Sequence, residues 1–506
     1  MINRSSFLGL AFPLKNRKRA MVCLGLAALL SIPAASLSFA IDLDFSDSDS
    51  WEISASTQVE FSSDRKTHQD IFHSWTDLDL TYGMYGVNLR YDAHQPDDWG
   101  VSWQKLAFRN FHLTSEFLEI TAGNYYVLLG RGLILRSYEN RDLRYDNNID
   151  GVKGTVEFEG FNLTLLGGTA TGKYDRLSDP LHAADGKVAV TDWLTAGGSY
   201  LRTHVTDFGL VRFHGANASL NLPNVDFYAE YAKKYNPSQP FEPDEGEGIY
   251  LAGNVFTAGL GLTLELKHYE DFLFLNPNLP PPNEGVTLNN PPPLAREHMY
   301  TLLNRHAYVL EFDERGIQAE LTSSPFEGLS VLANYSRTTD HEDELIFSEA
   351  YGEFEYDYSD RATIKGGFSR QKSKQEEGDP VRMAPVVDLI YYLSDSDNIN
   401  FILEHLYTDK FDDKLTYYDQ ILSLSFSRSP TGSITLTHER TTEWEVREAW
   451  SGRRDWLIAT LDLTLGENHN VSLSVGSRRK GKVCAGGVCV DKPALNGFEI
   501  KLLSRF

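Results

Sequence analysis

"GFEIKLLSRF" (Gly497–Phe506) ends the chain on an extended segment that alternates to its last residue. Phe498, Ile500, Leu502, Ser504 and Phe506 fall on one side, and Glu499, Lys501, Leu503 and Arg505 on the other. Period two with one apolar face is the pattern of a half-buried strand. A terminal strand of this kind needs a neighbour, and a closed barrel supplies one, because its last strand pairs with its first. An aromatic final residue on an alternating strand also resembles the signal read by the bacterial barrel-assembly machinery. Phe498, Ile500, Leu502 and Phe506 are the candidate assembly signal.

The same alternation recurs upstream. "WEISASTQVEF" sets Trp51, Ile53, Ala55, Thr57, Val59 and Phe61 against Glu52, Ser54, Ser56, Gln58 and Glu60. Tyr85 to Tyr91, Leu260 to Leu266, Leu329 to Tyr335, Leu422 to Phe426 and Leu457 to Leu465 repeat it, and nothing of comparable length has helical period. No run beyond the N-terminus reaches the roughly 20 apolar residues of a membrane helix, whereas a barrel strand needs only about 10 with every second one apolar.

Turn spacing separates a membrane barrel from a soluble sandwich. In the last third, short turns ("SPFEG", "YSDR", "SDSDN", "SPTG", "GENH") alternate with longer polar stretches such as "QKSKQEEGDPVR" and "TTEWEVREAWSGRR". Short turns at one rim and long loops at the other are the organisation of an outer-membrane barrel, with the short turns periplasmic. The reading is an all-β protein: a single large transmembrane antiparallel barrel of roughly 20–24 strands, an even number. Strand parity fails at two places, where short connections follow each other at "FDERG" and "SPFEG" and again near Val205 and Pro223.

The basic residues Lys15, Arg17, Lys18 and Arg19 precede an apolar stretch and the small residues Ser38-Phe39-Ala40. This predicts a secretory signal peptide over residues 1–40, cleaved after Ala40, with an uncleaved anchor as the alternative. Residues 41–50 form a short acidic segment, and the barrel occupies 51–506. Cleavage removes five basic side chains and no acidic one, moving the formal charge from −24 to −29. So acidic a balance argues against nucleic acid and against electrostatic adhesion to anionic lipid. The remaining contacts expected are outer-membrane lipid around the barrel and, in one reading below, a surface or periplasmic protein.

The densest chemistry lies in "YYVLLGRGLILRSYENRDLRYDNNIDGV" (Tyr125–Val152). Arg131, Arg136, Arg141 and Arg144 stand there among Glu139, Asp142, Asp146 and Asp150. Charged rows across a lumen set pore selectivity, so these eight are the constriction candidates. The plainer alternative is a salt-bridged, inward-folded loop that stiffens a wide barrel. The proline-rich stretch from Asn276 to Arg305 cannot join a ladder. It reads as a stiff loop over one barrel mouth, or as a partner-binding polyproline segment.

Cys484 and Cys489, the two cysteines left after cleavage, are expected to pair as a disulfide in the last long loop. No metal-binding spacing, H-E-x-x-H, G-x-S-x-G, haem or phosphate-loop motif occurs, so the sequence assigns no catalytic residue and no cofactor.

The segment Tyr125–Gly151, together with "GLGLTLELKHYEDF" (Gly259–Phe272), "NNPPPLAREHMYTLLNRH" (Asn289–His306) and "CAGGVCVDKPALNGFEIKLLSRF" (Cys484–Phe506), resembles an uncharacterised family of large outer-membrane proteins commonest in Bacteroidota-type bacteria. The resemblance implies a barrel and an outer-membrane address, and no activity. The functional expectation is a porin-like channel for small polar solutes with a charged constriction. The alternative is a non-conducting scaffold that anchors a surface or periplasmic partner. Importers with a separate N-terminal plug are disfavoured by the short segment before Trp51.

Overall fold

In the computed structural model the described residues are 50–95, 102–143, 145–171, 176–205, 209–235, 245–272, 288–310, 313–410, 415–443, 454–485 and 488–506. The predicted signal peptide lies outside them. Twenty-four strands, from Trp51–Asp64 to Leu495–Arg505, form one antiparallel sheet that closes on itself. This is the upper end of the expected strand number.

Closure runs through the segment that opened the sequence reading. Val59 lies opposite Leu502 and Phe61 opposite Ile500. The Phe61 and Phe498 rings are 5.7 Å apart, and Ala55 and Phe506 exchange backbone hydrogen bonds of 3.1 and 2.8 Å. On the other face Lys501 reaches Glu60 at 3.1 Å. The two alternating faces of the terminal strand thus meet the matching faces of the first strand, and a slip of one residue would exchange them.

The face predicted as apolar looks outward. Leu264, Leu266, Leu424, Leu457 and Tyr335 are all exposed. Near the rim that holds Phe506, exposed aromatics gather at the strand ends, including Trp51, Tyr85, Phe117, Phe158, Phe161, Trp193, Phe256 and Tyr358. An apolar band bordered by an aromatic girdle is the exterior a bilayer requires.

Connections at the Phe506 rim span two to four residues, such as Gly83-Met84 and Glu327-Gly328. Gly83 and Gly328 have φ of 53° and 79°, the conformation such tight turns demand. The opposite rim carries the long polar stretches, so the short turns are the periplasmic ones. The two failures of parity now have causes. In "FDERG" the connection that starts at Asp271 ends with Asp313, and Glu314 already begins the strand Glu314–Phe326, while the connection after Val205 is only three residues long although it lies at the outer rim. Outer connections are therefore not uniformly long.

One expectation is corrected. The proline-rich stretch does not lie over the mouth: its described part, 288–305, runs inside the barrel against the inner wall. Residues 273–287 are outside the described set.

Candidate functional site

Two segments enter the lumen. The first, 126–148, folds as two small hairpins, Val127–Leu129 with Leu135–Ser137 and Glu139–Asn140 with Tyr145–Asp146. Its turn "LGRGL" needs glycine at both positions. Gly130 and Gly132 have φ of 60° and 91°, and a Cβ on Gly130 would overlap the Glu230 carboxylate. Leu129, Leu133, Ile134 and Leu135 are at most 2 % exposed and pack on the wall residues Leu181, Leu201, Val211, Phe213 and Ala232. That part of the inner wall is apolar. Burying such side chains fully contributes about 1.5–3 kcal/mol each.

The second segment, 288–310, includes one helical turn, Thr301–Asn304. The two segments are joined by backbone hydrogen bonds from Arg136 N–H to Leu288 O (2.9 Å) and from Asn290 N–H to Gly132 O (3.0 Å). Buried Asn289 donates from Nδ2 to Leu133 O and to Phe272 O, both at 3.1 Å. The second segment then crosses toward the opposite wall. Arg296 pairs with Glu320 (2.5 Å), His298 with Glu349 (2.9 Å), and Arg305 with Glu439 (2.8 Å). Glu404 accepts the Leu302 N–H at 2.7 Å, satisfying an amide that a helical first turn leaves open. Arg479, from the last outer connection, reaches Asp419 and Glu443, both at 2.7 Å.

Of the eight predicted residues, Arg141, Glu139 and Asp146 come together with wall groups. Arg141 donates to Glu139 (2.8 Å), Asp77 (2.9 Å) and Gln58 (3.4 Å). Arg90 of the wall binds Asp77 (2.5 Å) and Glu139 (2.9 Å) and lies 3.8 Å from Asp146. Burial works against the Arg141 charge, but Glu139 and Asp77 outweigh it and hold the guanidinium above its usual pKa. Arg131 and Arg136 are different, since neither has an ion-pair partner among the described residues. Arg131 is exposed, 5.1 Å above the Tyr228 ring, and Arg136 lies 4.7 Å above Tyr138. Asp142 is exposed, Asp150 belongs to the wall strand 3.5 Å from Arg109, and Arg144 lies outside the described residues.

A further lock closes the second segment against an outer loop. His306 Nδ1 is 3.1 Å from Glu376, which Arg382 also holds at 2.6 Å. Burial, then the Arg382 charge, depress the His306 pKa to about 4. Burial raises Glu376, but His306 and Arg382 overcome it and bring its pKa down to about 2.

Cys484 lies directly opposite Cys489 in the hairpin Gly481–Ala485 with Val488–Lys492. Their side chains are outside the described set. One trio with metal-ligand chemistry occurs among the described residues, Glu247, His268 and Glu270. Arg315 Nε donates to His268 Nδ1 (3.1 Å), leaving the proton of a neutral ring on the nitrogen that would have to bind, so the trio does not fit a metal.

Over residues 26–506 the chain matches the family of unknown function DUF6029. It belongs to that family. Among curated proteins none matches it in sequence. Among solved structures, it is similar to the E. coli P pilus tip assembly intermediate PapC-PapD-PapK-PapG, with 9% identity, a TM-score of 0.53, and coverage of 91% of this chain and 63% of that one. The siderophore receptor PirA from Pseudomonas aeruginosa gives 12% identity, a TM-score of 0.44 and coverage of 90% and 80%. OccD3 (OpdP) of the same organism gives 14%, 0.40, and coverage of 67% and 90%. Its closed barrel and apolar, girdled exterior place this DUF6029 protein in the bacterial outer membrane.

The DUF6029 barrel holds its inserted segments with wall residues that sequence reasoning did not single out: Asp77, Glu230, Glu349, Glu404, Asp419 and Glu439. Each is an acid on the polar face of an alternating strand, which by itself looks like any lumen-facing group. A usable signal lay in "LVRFHG" (Leu210–Gly215), where the alternation is inverted and apolar Val211 and Phe213 take the inward positions.

Proposed function

We propose that this barrel is an outer-membrane channel for small polar solutes, narrowed by the segments 126–148 and 288–310, with Arg131 and Arg136 facing the passage. One observation carries the reading. Most fastening contacts of the inserted segments lie in the outer half and middle of the inner wall, with Arg141 reaching lower to Asp77, while much of the wall nearer the periplasm keeps polar, partly exposed side chains such as Thr155, Thr164, Ser423, Ser425, Thr435 and Thr437. A wide polar vestibule below a narrowed zone is the arrangement of a selective pore. Among the predicted charges, Arg141, Glu139 and Asp146 are consumed in ion pairs and act as fasteners. The free guanidinia of Arg131 and Arg136 are left to act on a passing ion.

The test is the reversal potential of the purified protein in a planar bilayer under a salt gradient. Arg131→Ala with Arg136→Ala shifts selectivity toward cations in this account. An unchanged reversal potential removes both residues from the path.

A second reading, a closed barrel that holds a surface or periplasmic protein, is favoured by the interior-like fixation of both segments. A barrel that inserts but does not conduct, in either wild type or variant, would support it. We further assign the terminal strand, with Phe498, Ile500, Leu502 and Phe506 on its outward face, as the element recognised by the assembly machinery. Phe506→Ala is expected to slow assembly into the membrane.

A further inference from the structure

Four neighbouring strands, Arg176–Thr191, Leu194–Val205, Gly209–Leu222 and Val225–Tyr235, reverse the barrel's usual polarity toward their outer ends. Inside, Leu181, Leu201, Val211, Phe213 and Ala232 are buried under the first inserted segment. Strand alternation then forces their sequence neighbours outward, and those neighbours are His182, Arg202, His204, Arg212, His214 and Lys233. Four of these six are exposed, and Arg212 and Lys233 are half-buried.

The register concentrates the charge. Arg202 lies directly opposite Arg212, His182 lies opposite Arg202, and His214 lies opposite Lys233. Like charges directly opposite each other on one sheet face repel and destabilise the pair. Lys233 is neutralised by Glu245 at 2.5 Å. Arg202 and Arg212 have no carboxylate partner among the described residues. Arg212 rests on the Tyr235 ring, 5.4 Å from its centre, and its buried Nε has no hydrogen-bond acceptor. Two adjacent guanidinia on the outside of a membrane barrel, without an acid between them, call for an external anion.

Their height identifies its source. Below them on the same face are Val188, Val190, Trp193, Leu222 and Phe227, all exposed, and then Tyr200 and Tyr231. From Leu194 to Arg202 a tilted strand climbs roughly 20 Å, close to the ~25 Å height of an apolar barrel band. The arginines therefore stand just above the hydrocarbon, level with headgroups of the outer leaflet, with tyrosines at the boundary below.

We propose that Arg202 and Arg212, flanked by His182 and His214, form a binding site for the phosphate of an outer-leaflet phosphorylated glycolipid. Guanidinium forks bind phosphate oxygens bidentately, and register-opposed residues have Cβ atoms about 5 Å apart, so one phosphate can bridge both. The acyl chains of such a lipid would lie down the apolar strip beneath. The net negative charge of the chain conceals this site, because the acids sit elsewhere.

Native mass spectrometry of the full mature chain in detergent tests the assignment, with lipid A, its dephosphorylated form and inorganic phosphate as probes. Folding is checked by heat-modifiable gel migration. The wild type is expected to retain lipid A and to bind the dephosphorylated lipid at least about tenfold more weakly. Arg202→Gln with Arg212→Gln should weaken lipid A binding by a similar factor, and the double Lys variant should fall between. If the double Gln variant does not fold, each single variant is read in its place. Equal binding of both lipids, or undiminished binding in a folded Gln variant, overturns the site. Displacement of lipid A by millimolar inorganic phosphate overturns the lipid as its occupant.

Discussion

Replacing Ile134 by Ala probes how firmly the first inserted segment is held. Ile134 is 1 % exposed, and it sits so close over Gly215 that a Cβ there would meet its Cδ1. Truncation removes about three methylene equivalents, worth roughly 0.8 kcal/mol each, and leaves a cavity against a rigid barrel wall. The loss is therefore about 3 kcal/mol, within the range of about 2–5 kcal/mol for such truncations. If the segment undocks as a unit, that loss multiplies its undocked population by roughly 150-fold. Hydrogen exchange reads this directly, since the amides of residues 127–137 exchange through undocking. Their protection should fall by about two orders of magnitude while the barrel strands stay protected. Leu128→Ala is the control, because Leu128 is 54% exposed and should change little. Unchanged protection of 127–137 in Ile134→Ala, with the barrel intact, would refute the claim that apolar packing on Leu201, Val211 and Phe213 docks the segment.

Asn289→Ala removes donors to two carbonyls, Leu133 O and Phe272 O, and should cost on the order of 2–3 kcal/mol of docking, seen as faster exchange in both inserted segments together; an effect confined to one would uncouple them. The His306–Glu376 lock should loosen in acid. Both groups have pKa values depressed in the folded state, so undocking takes up protons, and stability falls as pH drops from about 6.5 toward 4 and again from about 4.5 toward 2. After discounting for partial exposure this amounts to about 1–2 kcal/mol by pH 4, and pH-independent protection factors at residues 300–310 would contradict it. Cys484 and Cys489, opposed in their hairpin, should resist maleimide until reduced; labelling without a reductant would rule out the disulfide.

The exterior was legible because lipid imposes one rule on every strand. The alternation of Leu260 to Leu266 and of Leu422 to Phe426 had a single consistent reading, and closure of Trp51–Asp64 on Leu495–Arg505 followed from the terminal strand's need for a partner. The lumen obeys no such rule. Pro291 to Pro293 forbid a ladder whether the chain lies over a mouth or inside it, and what draws the segment inside is a set of single acids, Glu349, Glu404 and Glu439, far apart in sequence. The charged cluster after Tyr125 was visible as a cluster. Its division into fasteners and free charges was not, because Asp77 and Arg90, which consume Arg141, Glu139 and Asp146, come from strands roughly fifty to sixty-five residues earlier. The basic patch escaped notice because alternation was read for which residues are apolar and not for which face they take. At Val211 to His214 the two assignments are exchanged.

The inserted segments are proposed to narrow a conducting lumen. Single-channel conductance in a planar bilayer tests it, comparing the wild type with a variant in which residues 127–137 are replaced by a short Gly-Ser linker. A small steady conductance is expected in the wild type and a severalfold larger one in the variant. The same conductance in both, or none in either, would contradict it.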